Sequence, residues 1–167
     1  MKKILFLLSA SLLLNFSALA IEPPYPEGPG LEFVVELHVL CEGTYTVGDT
    51  SHGTRTVIPI VGGTFEGPDI KGTVLSGGAD YQLNDREHGR TEVEAIYSIR
   101  TDDGVNIHVR NCGLITMGPK GFYFRTAPKF EAPRDSKYAW MNDAIFVCMP
   151  GPGDGTGAIV LRVWKVL

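Results

Sequence analysis

Between Thr54 and Gln82 the chain interrupts its own apolar runs with glycine at 62, 63, 67, 72, 77 and 78 and with proline at 59 and 68. Glycine serves where backbone must bend sharply, take a positive φ, or let a neighbouring strand approach closely. A sheet that curls into a barrel needs such corners. This stretch predicts strand, a double-glycine turn at Gly62-Gly63, a short strand, a second break at Gly77-Gly78, and the polar triplet Asp80-Tyr81-Gln82. Pro59 places the first of these strands at an edge or a bulge, because proline cannot donate to a ladder.

Strand periodicity runs through the rest of the chain. Leu31, Phe33, Val35, Leu37, Val39 and Cys41 alternate with Glu32, Val34, Glu36, His38, Leu40 and Glu42, which predicts a half-buried antiparallel strand with its first set inward. Residues 43–53 are polar and predict a loop, with a short strand around Thr44–Val47. Val93, Ala95, Tyr97 and Ile99 share one face, and Val105, Ile107 and Val109 share another, across the turn Asp102-Asp103-Gly104. Two alternating runs joined by such a turn are a hairpin. A bulge is expected at Gly113, and an interruption at Pro128 in the strand 122–130. Lys137–Asp143 predicts one helical turn or a wide loop, 150–157 a loop, and 158–167 a closing strand against the first. About eight to ten short strands with a turn every ten or so residues predict an all-β, single-domain antiparallel β-barrel.

The first twenty residues read as a leader. Lys2-Lys3, an apolar run from Ile4 to Phe16, and Ser17-Ala18-Leu19-Ala20 form a secretory signal pattern cut after Ala20. The expected organisation is a signal peptide at 1–20, a proline-rich lead-in at 21–30, and a barrel at 31–167, in a secreted or periplasmic protein. Loss of Lys2 and Lys3 takes the net charge from −4 to −6. An acidic chain without Lys/Arg runs predicts neither nucleic acid nor an anionic membrane surface as partner. In an oxidising compartment, Cys41, Cys112 and Cys148 are expected to give one bridge and one leftover thiol, with three pairings open; three buried small side chains is the plain alternative. No two histidines share a ligand spacing, so no metal and no cofactor are expected.

Several motifs resemble one family. They are Gly53-x-Arg55-x-x-x-Pro59-x-x-Gly62-Gly63-x-Phe65-x-Gly67-Pro68, Gly77-Gly78-Ala79-Asp80-Tyr81-Gln82, Tyr97-x-x-Arg100-Thr101-Asp102-Asp103-Gly104, Arg110-Asn111-x-Gly113, Tyr123-Phe124-Arg125-Thr126-x-Pro128-x-Phe130-Glu131 and Tyr138-x-Trp140-x-Asn142. Together they are similar to the DUF 3237 family, a domain of unknown function, over nearly the whole chain after the leader. The resemblance implies a small calycin-like or lipocalin-like β-barrel and implies no established activity.

Six residues are candidates to line a ligand site in the barrel mouth: Arg55, Asp80, Tyr97, Tyr123, Arg125 and Trp140. Asp80 is either an acid, base or ligand anchor, or a turn residue that fixes the glycine corner. Arg125 either binds an anion inside the barrel or packs on its outer face. Arg55 points inward if Val57 and Pro59 do, and outward if Ile58 and Ile60 do. Tyr97 lies on the apolar face, with a hydroxyl for a ligand or an interior partner. Trp140 and Asn142 form either a lid or a plug.

Three functions fit these features. The leading one is binding of a small, partly apolar molecule. The second is a cofactor-independent isomerase, lyase or cyclase, with Asp80 transferring protons and Arg55 or Arg125 stabilising an oxyanion. The third is a filled structural or interaction barrel, with paired interior polar groups and no cavity.

Overall fold

The computed structural model describes residues 27–119, 121–152, 155 and 157–167. The leader and most of the lead-in lie outside the described residues. Ten strands form one antiparallel sheet: β1 (Leu31–Cys41), β2 (Tyr45–Thr50), β3 (Gly53–Glu66), β4 (Lys71–Val74), β5 (Gly78–Asp85), β6 (Arg90–Thr101), β7 (Asn106–Gly118), β8 (Gly121–Glu131), β9 (Phe146–Pro152) and β10 (Ala158–Val166). The sheet closes on itself. β10 pairs with β1, β1 pairs with β3, and β4 links β3 to β6, making a ring of eight strands. β5 fills the same slot as β4 further along β3 and β6, and β2 continues the slot of β1 along the other edge of β3. These two strands raise the wall at one end of the barrel. The closing strand pairs with the first, as its position at the end of the chain predicted.

Several local features differ from expectation. Gly62-Gly63 is not a turn; β3 runs straight through it for 14 residues. The register between β1 and β3 slips by one at Val61, a bulge that switches the inward set from Ile60 to Gly63 and Phe65. Gly63 (φ +138°) lies where a Cβ would stand 2.0 Å from the His38 carbonyl oxygen, so only glycine allows the contact. A second bulge at Val34 turns Leu31 and Phe33 outward, while Val35, Leu37 and Val39 face in as expected. Pro59 pairs with Ala79 of β5 on one side. On the other it falls in the gap between the β1 ladder, which ends at Ile60, and the β2 ladder, which begins at Val57. It thus keeps the edge-like place expected of it, where its missing N–H costs no ladder bond. Neither Gly113 nor Pro128 breaks its strand. The β6–β7 register is continuous from Arg90 to Arg100, and Pro128 pairs with Asn111. Gly113 keeps its place because a Cβ there would meet the Arg125 carbonyl at 2.3 Å. The short strand expected around Thr44–Val47 extends over Tyr45–Thr50.

One half of the barrel is solid. Val35, Leu37, Ile99, Ile107, Val109 and Val163 are almost fully buried there. A 3-10 helix (Ala139–Asp143) closes that end. Met141 enters the core, and Phe146 packs edge-on against Phe130 with centroids 4.9 Å apart. Asn142 clamps the helix to the end of β8: Ala132 N–H donates to Asn142 Oδ1 (2.8 Å), and Asn142 Nδ2 donates to the Ala132 carbonyl (3.0 Å). The plug is therefore Met141 with Phe146. Trp140 leans on Phe146 from outside and stays 43 % exposed.

Candidate functional site

The other half of the barrel holds a cavity of about 60 Å³. Its wall includes Val39 and Cys41 of β1, Ile60 of β3, Asp80 of β5, Val93, Ala95 and Tyr97 of β6, Asn111 of β7, and Phe124 and Thr126 of β8. Cross-strand register explains why these residues meet. Asp80 pairs with Ala95, Ala95 with Asn111, and Val93 with Gly113, which in turn pairs with Thr126. Residues directly opposite in adjacent strands share a face.

Asp80 is the charged group of this wall. Gln82 Nε2 donates to Asp80 Oδ2 at 2.8 Å, and the Glu94 backbone N–H donates to Oδ1 at 3.1 Å. Both bonds favour the carboxylate. Burial outweighs them and pushes the Asp80 pKa above its ordinary value. The Tyr97 hydroxyl is pushed up as well, by burial first and then by the neighbouring Cys148 and Cys41, so it stays a proton donor. Burial pushes the Cys148 thiol up to about 11.

Two buried polar atoms on this wall are orphans. Asn111 Oδ1 has no hydrogen-bond partner among the described residues, and the residue is only 3 % exposed. Thr126 Oγ1 makes no hydrogen bond of ordinary geometry and has the Cys148 thiol, a weak partner, opposite it. An unpaired buried polar group costs about 1–3 kcal/mol.

Of the six candidates from sequence, Asp80 and Tyr97 come together on the cavity wall. The other four lie elsewhere. Ile60 faces in, so Arg55 points outward; its Nη1 donates to the Tyr81 carbonyl at 3.1 Å. Arg125 and Tyr123 share the outer face of β8, the guanidinium carbon 5.3 Å from the ring centroid, and Arg125 Nη1 donates to the Phe124 carbonyl. Trp140 sits at the plugged end, beside Phe33 and Tyr138. Among the described residues, no arginine therefore reaches the cavity to stabilise an oxyanion.

Asn111, Thr126, Cys41 and Phe124 were not among the candidates. For Asn111 the signal was available: it follows Ile107 and Val109 at spacing two, a polar side chain on an apolar face. All three cysteines are free thiols. Cys112 lies outside the wall near Glu94, while Cys41 and Cys148 lie inside, so Cys112 is separated from both.

These features define a closed antiparallel barrel with one solid end and one small, acid-bearing cavity. The chain matches the family described as "Protein of unknown function (DUF3237)" over residues 29–166, and it belongs to that family. A UPF0311 protein from Clostridium acetobutylicum is 40% identical over 110 residues, covering 58% of this chain and 68% of that protein. The crystal structure of a conserved protein of unknown function from Rhodopseudomonas palustris superposes with a TM-score of 0.76 at 30% identity, over 85% of this chain and 100% of that one. The hydroalkoxylation enzyme phnH of Penicillium herquei is 29% identical over 119 residues, 71% of this chain and 72% of that protein.

Proposed function

We propose that the cavity is a small-molecule site in which Asp80 passes a proton to or from the ligand. The protein is then a cofactor-independent acid–base enzyme for a small, partly apolar substrate. The observation that carries this reading is Asn111 Oδ1, a buried acceptor left unpaired on the same wall as Asp80. A filled structural barrel would pair its interior polar groups; this one holds an orphan acceptor beside a void, an arrangement suited to a hydroxyl or amine from outside. Asp80 adds the chemistry. Burial favours the protonated form of its carboxyl, the form that can protonate a weak base.

The likeness to a hydroalkoxylation enzyme supports a reaction of that type. Hydroalkoxylation adds an O–H bond across a C=C bond. Asp80 would protonate one alkene carbon, the substrate oxygen would bond to the other, and the oxygen's proton would return to the Asp80 carboxylate. Atoms and charge balance without a cofactor. Positive charge develops in this step, so a cavity without arginine suits it, and the faces of Tyr97 and Phe124 favour a cation. The proposed setting is secreted or periplasmic, on the strength of the leader-like residues 1–20.

The test is incubation with small hydroxyalkenes, 4-penten-1-ol and 2-allylphenol, in D₂O. The expected product is a cyclic ether with one deuterium on carbon, formed by wild type and not by Asp80→Asn. Turnover that survives in Asp80→Asn removes proton transfer from this residue. A protein that converts neither compound, and stays bare in native mass spectrometry after exposure to a metabolite extract, contradicts the reading. A compound bound without turnover favours the plain binding barrel, which the small apolar cavity also fits.

A further inference from the structure

The cavity is small for a whole ligand. Pockets that engulf a drug-sized molecule measure about 300–1,000 Å³, against about 60 Å³ here. A ligand whose reacting end reaches Asp80 must leave most of its body outside. The raised wall above the cavity shows where that body would lie.

Register identifies the inner face of this wall. Gly113 pairs with Val93 and Thr126; two residues further on, Ile115 pairs with Thr91 and Phe124, and Met117 pairs with Phe122. Ile115, Met117 and Phe122 thus continue outward the face that Phe124 and Thr126 present to the cavity. The Phe122 and Phe124 rings meet edge-on with centroids 6.4 Å apart. Met117 is 65 % exposed and Phe122 62 %. Grouped apolar exposure of this kind marks a binding surface. On the β3–β5–β6 side of the same wall, polar groups satisfy one another: Thr91 Oγ1 donates to Asn84 Oδ1 (2.9 Å), and Asn84 Nδ2 donates to Thr56 Oγ1 (3.2 Å).

We propose that Ile115, Met117, Phe122 and Phe124 form the specificity-determining surface of the site. They hold the apolar tail of a ligand whose hydroxyl-like head enters the cavity at Asn111 Oδ1. This inference rests on the cavity being a ligand site. Phe124 belongs to both the cavity and the outer ramp, so one continuous molecule spans them. The head is a donor because Asn111 Oδ1 is an acceptor. It is not an anion, because among the described residues the cavity wall carries the Asp80 carboxyl and no cationic side chain.

Straight-chain alcohols from 1-butanol to 1-decanol, titrated into the full-length mature protein and followed by NMR, test this. Affinity is expected to tighten about twofold to fourfold per added methylene, as one-sided to full apolar burial dictates, and to keep rising in the longest chains. Phe122→Ser, a change at an exposed position, is expected to flatten the rise for long alcohols and leave 1-butanol unchanged. A plateau in wild type, or an undiminished rise in Phe122→Ser, overturns the surface while leaving the cavity reading intact. Absence of binding by every alcohol overturns the cavity reading too. Self-association in sedimentation that Phe122→Ser abolishes, with the alcohol series unaffected, assigns the face to a second copy of the chain and overturns the proposal.

Discussion

Asp80 and Asn111 are two buried polar residues whose placement costs this barrel stability. The unfolded Asp80 titrates near 3.8, and burial raises the folded value. The folded chain therefore binds this proton more tightly than the unfolded chain. The associated stability is fully present below about pH 3.8 and is lost as pH rises through the folded value. Asp80→Asn is expected to remove that slope, so the urea midpoint falls less between about pH 4 and pH 8 in the variant than in wild type. Asn111→Leu swaps an orphan polar group for an apolar one of similar size. It is expected to raise stability by about 1 kcal/mol in urea unfolding while weakening binding of 1-hexanol. Asp80 was legible in the sequence because a carboxylate follows a glycine corner. Arg55 and Arg125 were not placed, because a single bulge upstream reverses every side chain beyond it. The alternation around Ile60, once its face is known, fixes Arg55 outside.

Single elements are held by close approach and by one acidic hub. Gly63→Ala puts a Cβ against the His38 carbonyl, so a loss of about 2–4 kcal/mol in chemical denaturation is expected. Gly118→Ala, with nothing within 4 Å of its Cβ, should change stability by less than about 0.5 kcal/mol. Asp103, in the turn between β6 and β7, accepts hydrogen bonds from Thr101 Oγ1 (2.5 Å) and Tyr138 Oη (3.0 Å) and an ion pair from Lys137 (2.9 Å). It ties this turn to the plug. Lys137 and then Thr101 hold its carboxyl down at about 2. Its contribution is present above the unfolded value of 3.8 and is lost as pH falls toward about 2. Asp103→Asn should lose less helix-plug and hairpin stability across that window, read by circular dichroism in acid. The β6–β7 hairpin was plain in the sequence because its alternation and turn agree. The double glycine at 62–63 was not, because glycine marks close approach as often as it marks a turn.

At the scale of the whole molecule, the barrel has one plugged end and one end that holds a cavity. The core, Met141, Phe146 and the Asn142 clamp secure one end. The other keeps a void beside Asp80 and extends into the apolar ramp. The seam between β8 and β9 has a single ladder pair, Thr126 with Cys148. Pro128, Pro150 and Pro152 on these strands lack the N–H groups that a longer ladder would need. Barrel closure was legible from strand count and from the final strand's position. The cavity was not, because it depends on how thirteen residues from eight strands share one interior. The central claim is that Asp80 and a ligand occupy that cavity together. Carbon-13 NMR titration of the Asp80 carboxyl, alone and with 1-hexanol, tests it most directly. A midpoint above the ordinary 3.8 that moves when the alcohol binds is the predicted result. A midpoint at the ordinary value, unmoved by the alcohol, would contradict it.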